Sequence, residues 1–202
     1  MGPASPAPCD VVLASFGAPR TLDEIEPYLV RLFSDRRILP MPLRGFVARR
    51  IARRRAPKVR PKYERLGGGS PLAATTEEQA RLLEAELVRR GTAHRVHPAF
   101  LYLDPTISAA LDALPVGGPD PLVLPLFPQR SFAGAGSVSD QVGRRAATVV
   151  GDFHDHAGFL AWHASRVDEA LGGGDGPAAV LFAAHSIPRR FVDKGDRYVD
   201  QI

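Results

Sequence analysis

The sequence predicts an α/β fold, a parallel sheet flanked by helices, and three observations lead there. Apolar runs of strand length recur along the chain: "CDVVLASFG" (9–17), "AHRVHPAFLYL" (93–103), "PLVLPLF" (121–127) and "AAVLFAA" (178–184). Longer stretches with apolar residues at helical spacing lie between them. Gly- and Pro-rich segments such as "LGGGSP" (66–71) and "GGGDGP" (172–177) punctuate the alternation. Strands alternating with helices close most readily as a parallel sheet.

Taken in order, the first run ends in Gly and reads as a buried strand entering a turn. Thr21 and Glu24 have capping-box spacing, and Pro27 suits a first turn, so a short turn and then a helix from Pro27 to about Ser34 are expected. Leu43, Phe46, Val47 and Ile51 fall at helical spacing until Pro57, which should end that helix. Three glycines at 67–69 make a loop where backbone can approach something closely. Thr75 and Glu78 form a second capping box, opening a helix that ends near Gly91. A helix started by Pro105 should join the next two strands. "FPQRSFAGAGS" (127–137) then reads as a loop at a strand's carboxyl end, where such folds bind ligands. Phe153, Ala157, Leu160, Ala164, Val167 and Leu171 mark one stripe of a helix over 153–171. His185 falls at the tip of the last strand. That strand cannot form a sheet alone, so the chain reads as incomplete or reliant on a partner.

Composition narrows the classes. The 202 residues are 45% hydrophobic and 24% charged, which is globular. No apolar run approaches the length of a membrane span. "MGPASPAPCD" lacks the positive start and apolar middle of a secretory signal, and the single cysteine, Cys9, allows no internal disulfide. A cytoplasmic, reduced setting is expected. Ten of the 26 Lys and Arg residues fall between Arg44 and Arg65 against one acid, Glu64, of 22. The remainder is therefore acidic, and the local basicity suggests an anionic partner at one surface. Tyr63 and Phe46 are the only rings there, too few for the stacking that nucleic acid would add.

Among candidate chemical groups, His185 comes first. An imidazole at the carboxyl end of a strand can take a proton near neutral pH or coordinate a metal, the alternative being a capping or packing role. His154, His156 and His163 lack a nearby cysteine or fitting carboxylate pattern and read as surface or helix-flank residues. "GGGSP" has no Lys at Walker spacing, and "SFGAP" is too short for a dinucleotide fingerprint.

The fragments "SFGAP", "YLVRLFSD", "RRRAPK", "YERLGGGSPL", "LPLFPQRS" and "AAHSIP" followed by "GDRY" stand in an order and spacing that resemble the ferrochelatases. Those enzymes insert ferrous iron into a porphyrin to make haem. The resemblance implies two Rossmann-like, chelatase-like domains around a porphyrin cleft. It places the first over residues 1–150, with 151–202 as a connecting helix and the opening strand of an incomplete second. It makes His185 the catalytic and iron-binding residue, and Arg55, Tyr63, Ser70, Phe16 and Tyr102 porphyrin contacts. Protoporphyrin IX is the expected porphyrin, with coproporphyrin the alternative, and Fe²⁺ is a substrate rather than a cofactor. No cofactor, no iron–sulfur cluster and no nucleic-acid partner are implied for this chain. Peripheral membrane association and oligomeric state stay open.

Departures from the family pattern are Arg130 and Gly134–Ala135 after "PQ", and Leu101 where an arginine is usual. The acidic partner for the histidine has no counterpart before Ile202. Two further readings therefore stand beside the enzyme: a homologue that holds porphyrin or haem without chemistry, and a chelatase for another metal or tetrapyrrole.

Overall fold

The structure, a computed structural model, describes residues 9–172 and 178–202. The opening decapeptide and the Gly-rich break after Leu171 thus fall almost wholly outside the described residues. Four parallel strands form one sheet in the order β2–β1–β3–β4: β1 (Asp10–Ser15), β2 (Arg95–Phe100), β3 (Leu122–Pro125) and β4 (Thr148–Val149). Central β1 pairs Val11 with Val96 on one side and with Leu122 on the other. Its residues from Val11 to Ser15 are all buried, because helices cover both faces and no alternation is needed.

The two faces nonetheless part by the pleat. Val12 and Ala14 pack with Ala99, Val123 and two helices, α4 (Ile107–Asp112) and α5 (Ala135–Val142). Val11 and Leu13 pack with Val96 and with Ala80 of α3 (Leu72–Arg89). A third cluster, around Ile25, Leu29 and Ala52, joins α1 (Ile25–Ser34) to α2 (Arg44–Arg65).

Several helix boundaries differ from expectation, each for a local reason. Helix α2 continues through Pro57 and Pro61 to Arg65. Each proline removes one backbone donor, but Ala52, Ala56, Val59 and Tyr63 keep the packed face against α1, and tertiary contact outweighs the local loss. Thr21 makes no capping bond; Glu24 instead accepts the Arg20 amide at 2.6 Å, and a 3-10 turn (Leu22–Glu24) leads into α1. Helix α3 opens three residues before Thr75. Ser70 Oγ accepts the Leu72 amide at 3.2 Å, while the Thr75 hydroxyl turns back to the Pro71 carbonyl. The loop after β3 is shorter than read, since α5 starts at Ala135. The expected apolar stripe of α6 (Ala157–Leu171) finds no cover: among its described residues none is buried.

The strand expected over 178–184 does not form. Residues 178–188 carry no regular secondary structure, and Leu181 and Phe182 are 93% and 89% exposed. An isolated apolar run has no neighbour to complete its backbone ladder, so composition alone cannot make it a strand. A single turn, α7 (Arg189–Val192), follows.

Candidate active site

The site is assembled at the carboxyl ends of β1 and β3. The chain leaves β1 towards β2 on one side and returns to β3 on the other, which opens a crevice above their junction. Phe16 leaves β1 at that point. Gly17 turns the chain with φ of +74°, and a Cβ there would stand 2.9 Å from Phe100 Cβ, so the turn requires glycine. Phe16 is then held edge-on between Tyr102 (5.1 Å between ring centres) and Phe127 (5.8 Å).

The terminal segment closes the crevice from above although it has no strand. Asp196, buried, accepts the Phe132 amide at 2.7 Å and the Tyr198 amide at 3.0 Å. Gln201 accepts the Arg130 amide at 2.6 Å and donates to the Asp152 carboxylate. Phe191 is buried against Phe132, with ring centres 6.0 Å apart. These contacts tie "GDRY" to the loop after β3.

Between the layers lies a cavity of about 540 Å³, within the range of about 300–1,000 Å³ typical of small-molecule sites. Phe16, Leu32, Ile38, Phe127 and Ile187 supply apolar walls, and His185 and Tyr198 polar groups. His185 is exposed at this cavity. Its Nδ1 lies 2.6 Å from the Ser186 carbonyl oxygen, and its backbone amide donates to the Tyr198 hydroxyl at 3.2 Å. A carbonyl oxygen can only accept, so Nδ1 is the donor, and in the neutral ring the lone pair is on Nε2. His185 thus brings an imidazole to the lining of an apolar slot. Among the described residues no three His, Cys, Asp or Glu gather as a metal-holding group.

Of the residues singled out by sequence, His185 and Phe16 share this cavity. Tyr102 stands behind Phe16, buried, and its hydroxyl donates to Asp35 at 2.7 Å. Burial, helped by the Asp35 carboxylate, pushes its phenol well above the usual value. Arg55, Tyr63 and Ser70 do not line the cavity. Arg55 lies over the Phe33 ring at 5.6 Å, and Tyr63 packs between α1 and α2, its phenol pushed up by burial. Ser70 caps α3. The Gly-rich loop makes its close approach to the chain itself: a Cβ on Gly69 would meet the Arg20 carbonyl oxygen at 1.9 Å. The Ser70 amide also donates to the Pro19 carbonyl at 2.8 Å.

The departures have defined places. Leu101 is 2% exposed within the core, and its carbonyl accepts from Gln141. The Arg130 side chain is exposed. Gly134 precedes α5, and a Cβ on it would meet the Phe127 ring at 3.4 Å.

Sequence reasoning missed Leu32, Ile38, Arg190 and Phe191. Leu32 and Phe33 are neighbours on α1, yet Leu32 faces the cavity while Phe33 meets Arg55. The apolar Ile38 and Phe191, each next to a run of arginines, were the available signal.

A family model described as ferrochelatase matches residues 10–202. A ferrochelatase of Geotalea daltonii is 38% identical over 206 residues, covering 95% of this chain and 64% of its own length. That of Geobacter metallireducens is 39% identical with the same coverage, and that of Aquifex aeolicus 33%. The chain therefore spans about 64% of the length of these curated relatives. With the match running from β1 to the terminal segment, the chain belongs to the ferrochelatase family.

Proposed function

We propose that the protein to which this chain belongs inserts ferrous iron into a porphyrin, protoporphyrin IX, to form haem. The observation that carries this reading is the His185 imidazole in the lining of an apolar cavity that Phe16 and Phe127 also line. Family membership supplies the reaction class.

The chemistry asks for this combination. A free-base porphyrin holds two N–H protons and two lone pairs within its plane, and metal enters only when the ring bends. Apolar walls favour a bound macrocycle and exclude water from its faces. As iron binds, two pyrrole protons must leave. His185 Nε2, when neutral, takes one of them, the exposed imidazole returns it to solvent, and the freed ring then takes the second by the same route. The same lone pair alternatively guides the entering iron, but not while protonated. One imidazole leaves most of a coordination sphere open, which suits a metal that must be passed on.

Residues 1–150 form the first chelatase-like unit, and 151–202 begin a second whose remaining strands would cover Leu181 and Phe182. Arg55, Tyr63 and Ser70, outside this cavity, remain the contacts to the porphyrin carboxylates that the family motifs carrying them imply.

The test is His185→Ala in the full-length protein. Iron insertion is expected to fall at least ~100-fold, the usual size of a proton-transfer contribution. Porphyrin affinity, followed by absorbance without metal, should change by less than ~3-fold. Insertion at the parental rate would show that His185 has no catalytic part.

A further inference from the structure

We infer that Tyr198 is the positioning residue for His185: its hydroxyl holds the His185 backbone amide and so sets where the imidazole stands in the cavity. The inference rests on the reading of His185 above and names what controls that group.

Among the described residues, the bond from the His185 amide to the Tyr198 hydroxyl, at 3.2 Å, is the one hydrogen bond that ties 178–187 to a part of the chain beyond its immediate neighbours. The segment has no strand ladder, so its backbone samples many conformers unless another contact selects one. With the amide held, the ring gains a second fixed point in Nδ1, 2.6 Å from the Ser186 carbonyl oxygen. Together the two limit how the imidazole can turn.

Tyr198 is itself firmly mounted. Its amide donates to Asp196 Oδ1 at 3.0 Å, and its carbonyl accepts the Gln201 amide at 3.2 Å. The other Asp196 oxygen accepts the Phe132 amide, and the Gln201 side chain accepts that of Arg130. A hydrogen-bonded line therefore runs from the loop after β3 through Asp196 and Tyr198 to His185. The phenol ring also lines the cavity beside Phe16 and Phe127. A phenol suits both tasks, since its face walls an apolar slot while its oxygen accepts an amide. Phenylalanine could perform only the first.

The test is a double-mutant cycle of Tyr198→Phe and His185→Ala in the full-length protein, with iron insertion followed by absorbance. Tyr198→Phe keeps the ring against the cavity and removes the acceptor. Its kcat should fall ~5-fold, the size of one lost hydrogen bond, while KM for porphyrin stays within ~2-fold. In the His185→Ala background the same change should cost less than ~1.5-fold, because no imidazole is left to misplace. The ring ¹⁵N resonances of His185, assigned through His185→Ala in histidine-labelled protein, should shift or broaden in Tyr198→Phe. Those of His94 and His97, on the far side of the sheet's length, should not. Unfolding midpoints equal to the parent show that the variants are folded.

Unmoved His185 resonances overturn the inference, for the ring then stands where it did without the hydroxyl. So does an equal loss of kcat with and without His185, which would mean that Tyr198 acts on the substrate by itself. The iron-insertion reading fails separately. A His185→Ala variant that works at the parental rate refutes the catalytic part given to His185, and the resonances alone then decide whether Tyr198 places the ring.

Discussion

The strand β1 and the segment 178–184 have nearly the same composition and opposite fates. "VVLAS" in β1 is buried throughout, paired on both sides and packed on both faces. "VLFAA", from residue 180, lies open to solvent, with Phe182 89% exposed. Strand formation is thus a property of neighbours as much as of residues: an apolar run pays its ordering entropy only where backbone partners and a packed face await it. The terminal segment is held instead by side chains that reach backbone amides, chiefly Asp196 and Gln201. His185 is placed by anchors further along the chain rather than by a strand beneath it.

The sharpest break of that comparison sets one phenylalanine against another. Phe100, the last residue of β2, is fully buried with Leu103 and Ala73 of α3, so Phe100→Ala should lower unfolding stability by about 3–5 kcal/mol in urea titrations. Phe182→Ala in residues 1–202 should stay within about 0.5 kcal/mol. A larger cost in a full-length protein would show that further strands cover this segment there. Equal costs for both in the 1–202 chain would mean that the terminal run is packed after all.

Next comes the contact between the two loops under the site. Gly69→Ala forces a methyl group onto the Arg20 carbonyl, and backbone must move to relieve it. A loss of about 1–3 kcal/mol is expected, as for other overpacked positions. Thermal unfolding checks it, and a variant as stable as the parent would show that the loop is not held there.

The anchors can be released locally. Asp196→Ala leaves the Phe132 and Tyr198 amides without acceptors, at about 1–3 kcal/mol for buried groups. Hydrogen exchange should quicken at those two amides and in 185–201, while β1 amides keep their protection. Faster exchange throughout the sheet would mean that the two regions unfold as one.

How much of this was written legibly in the residues depends on the range of the force involved. The buried strands 10–15, 95–100 and 122–125 were visible because their apolar runs match what a doubly covered parallel sheet demands. Phe16 was visible only through the family motif that carries it, and His185, expected at a strand tip, reaches the same cavity although that strand does not form. Helix α2 was not, since its two prolines argue locally for a break and only contact with α1 overrules them. The strand at 178–184 was over-read for the converse reason, a local pattern with no partner. A second pocket is lined by Arg36, Arg44 and Arg190, residues that no short window of sequence brings together.

The smallest effect concerns the buried wall behind Phe16. Tyr102 is favoured in its neutral form by burial and by its hydrogen bond to Asp35, so its folded pKa lies above the ordinary value of 10.0. Stability from this phenol is complete below that value and is lost as pH rises towards the folded pKa, because the unfolded chain ionises first. Tyr28, pushed up to about 12 mainly by burial, adds a loss of the same sign. Tyr102→Phe should cost about 1 kcal/mol at neutral pH for the lost hydrogen bond. It should also make the decline above pH ~10 shallower without abolishing it, since Tyr28 remains. Urea unfolding at pH values on either side of 10 reads both effects. A variant whose alkaline decline is as steep as the parent's would place the responsible ionisation elsewhere than Tyr102, leaving the exposed and buried regions equally sensitive to base.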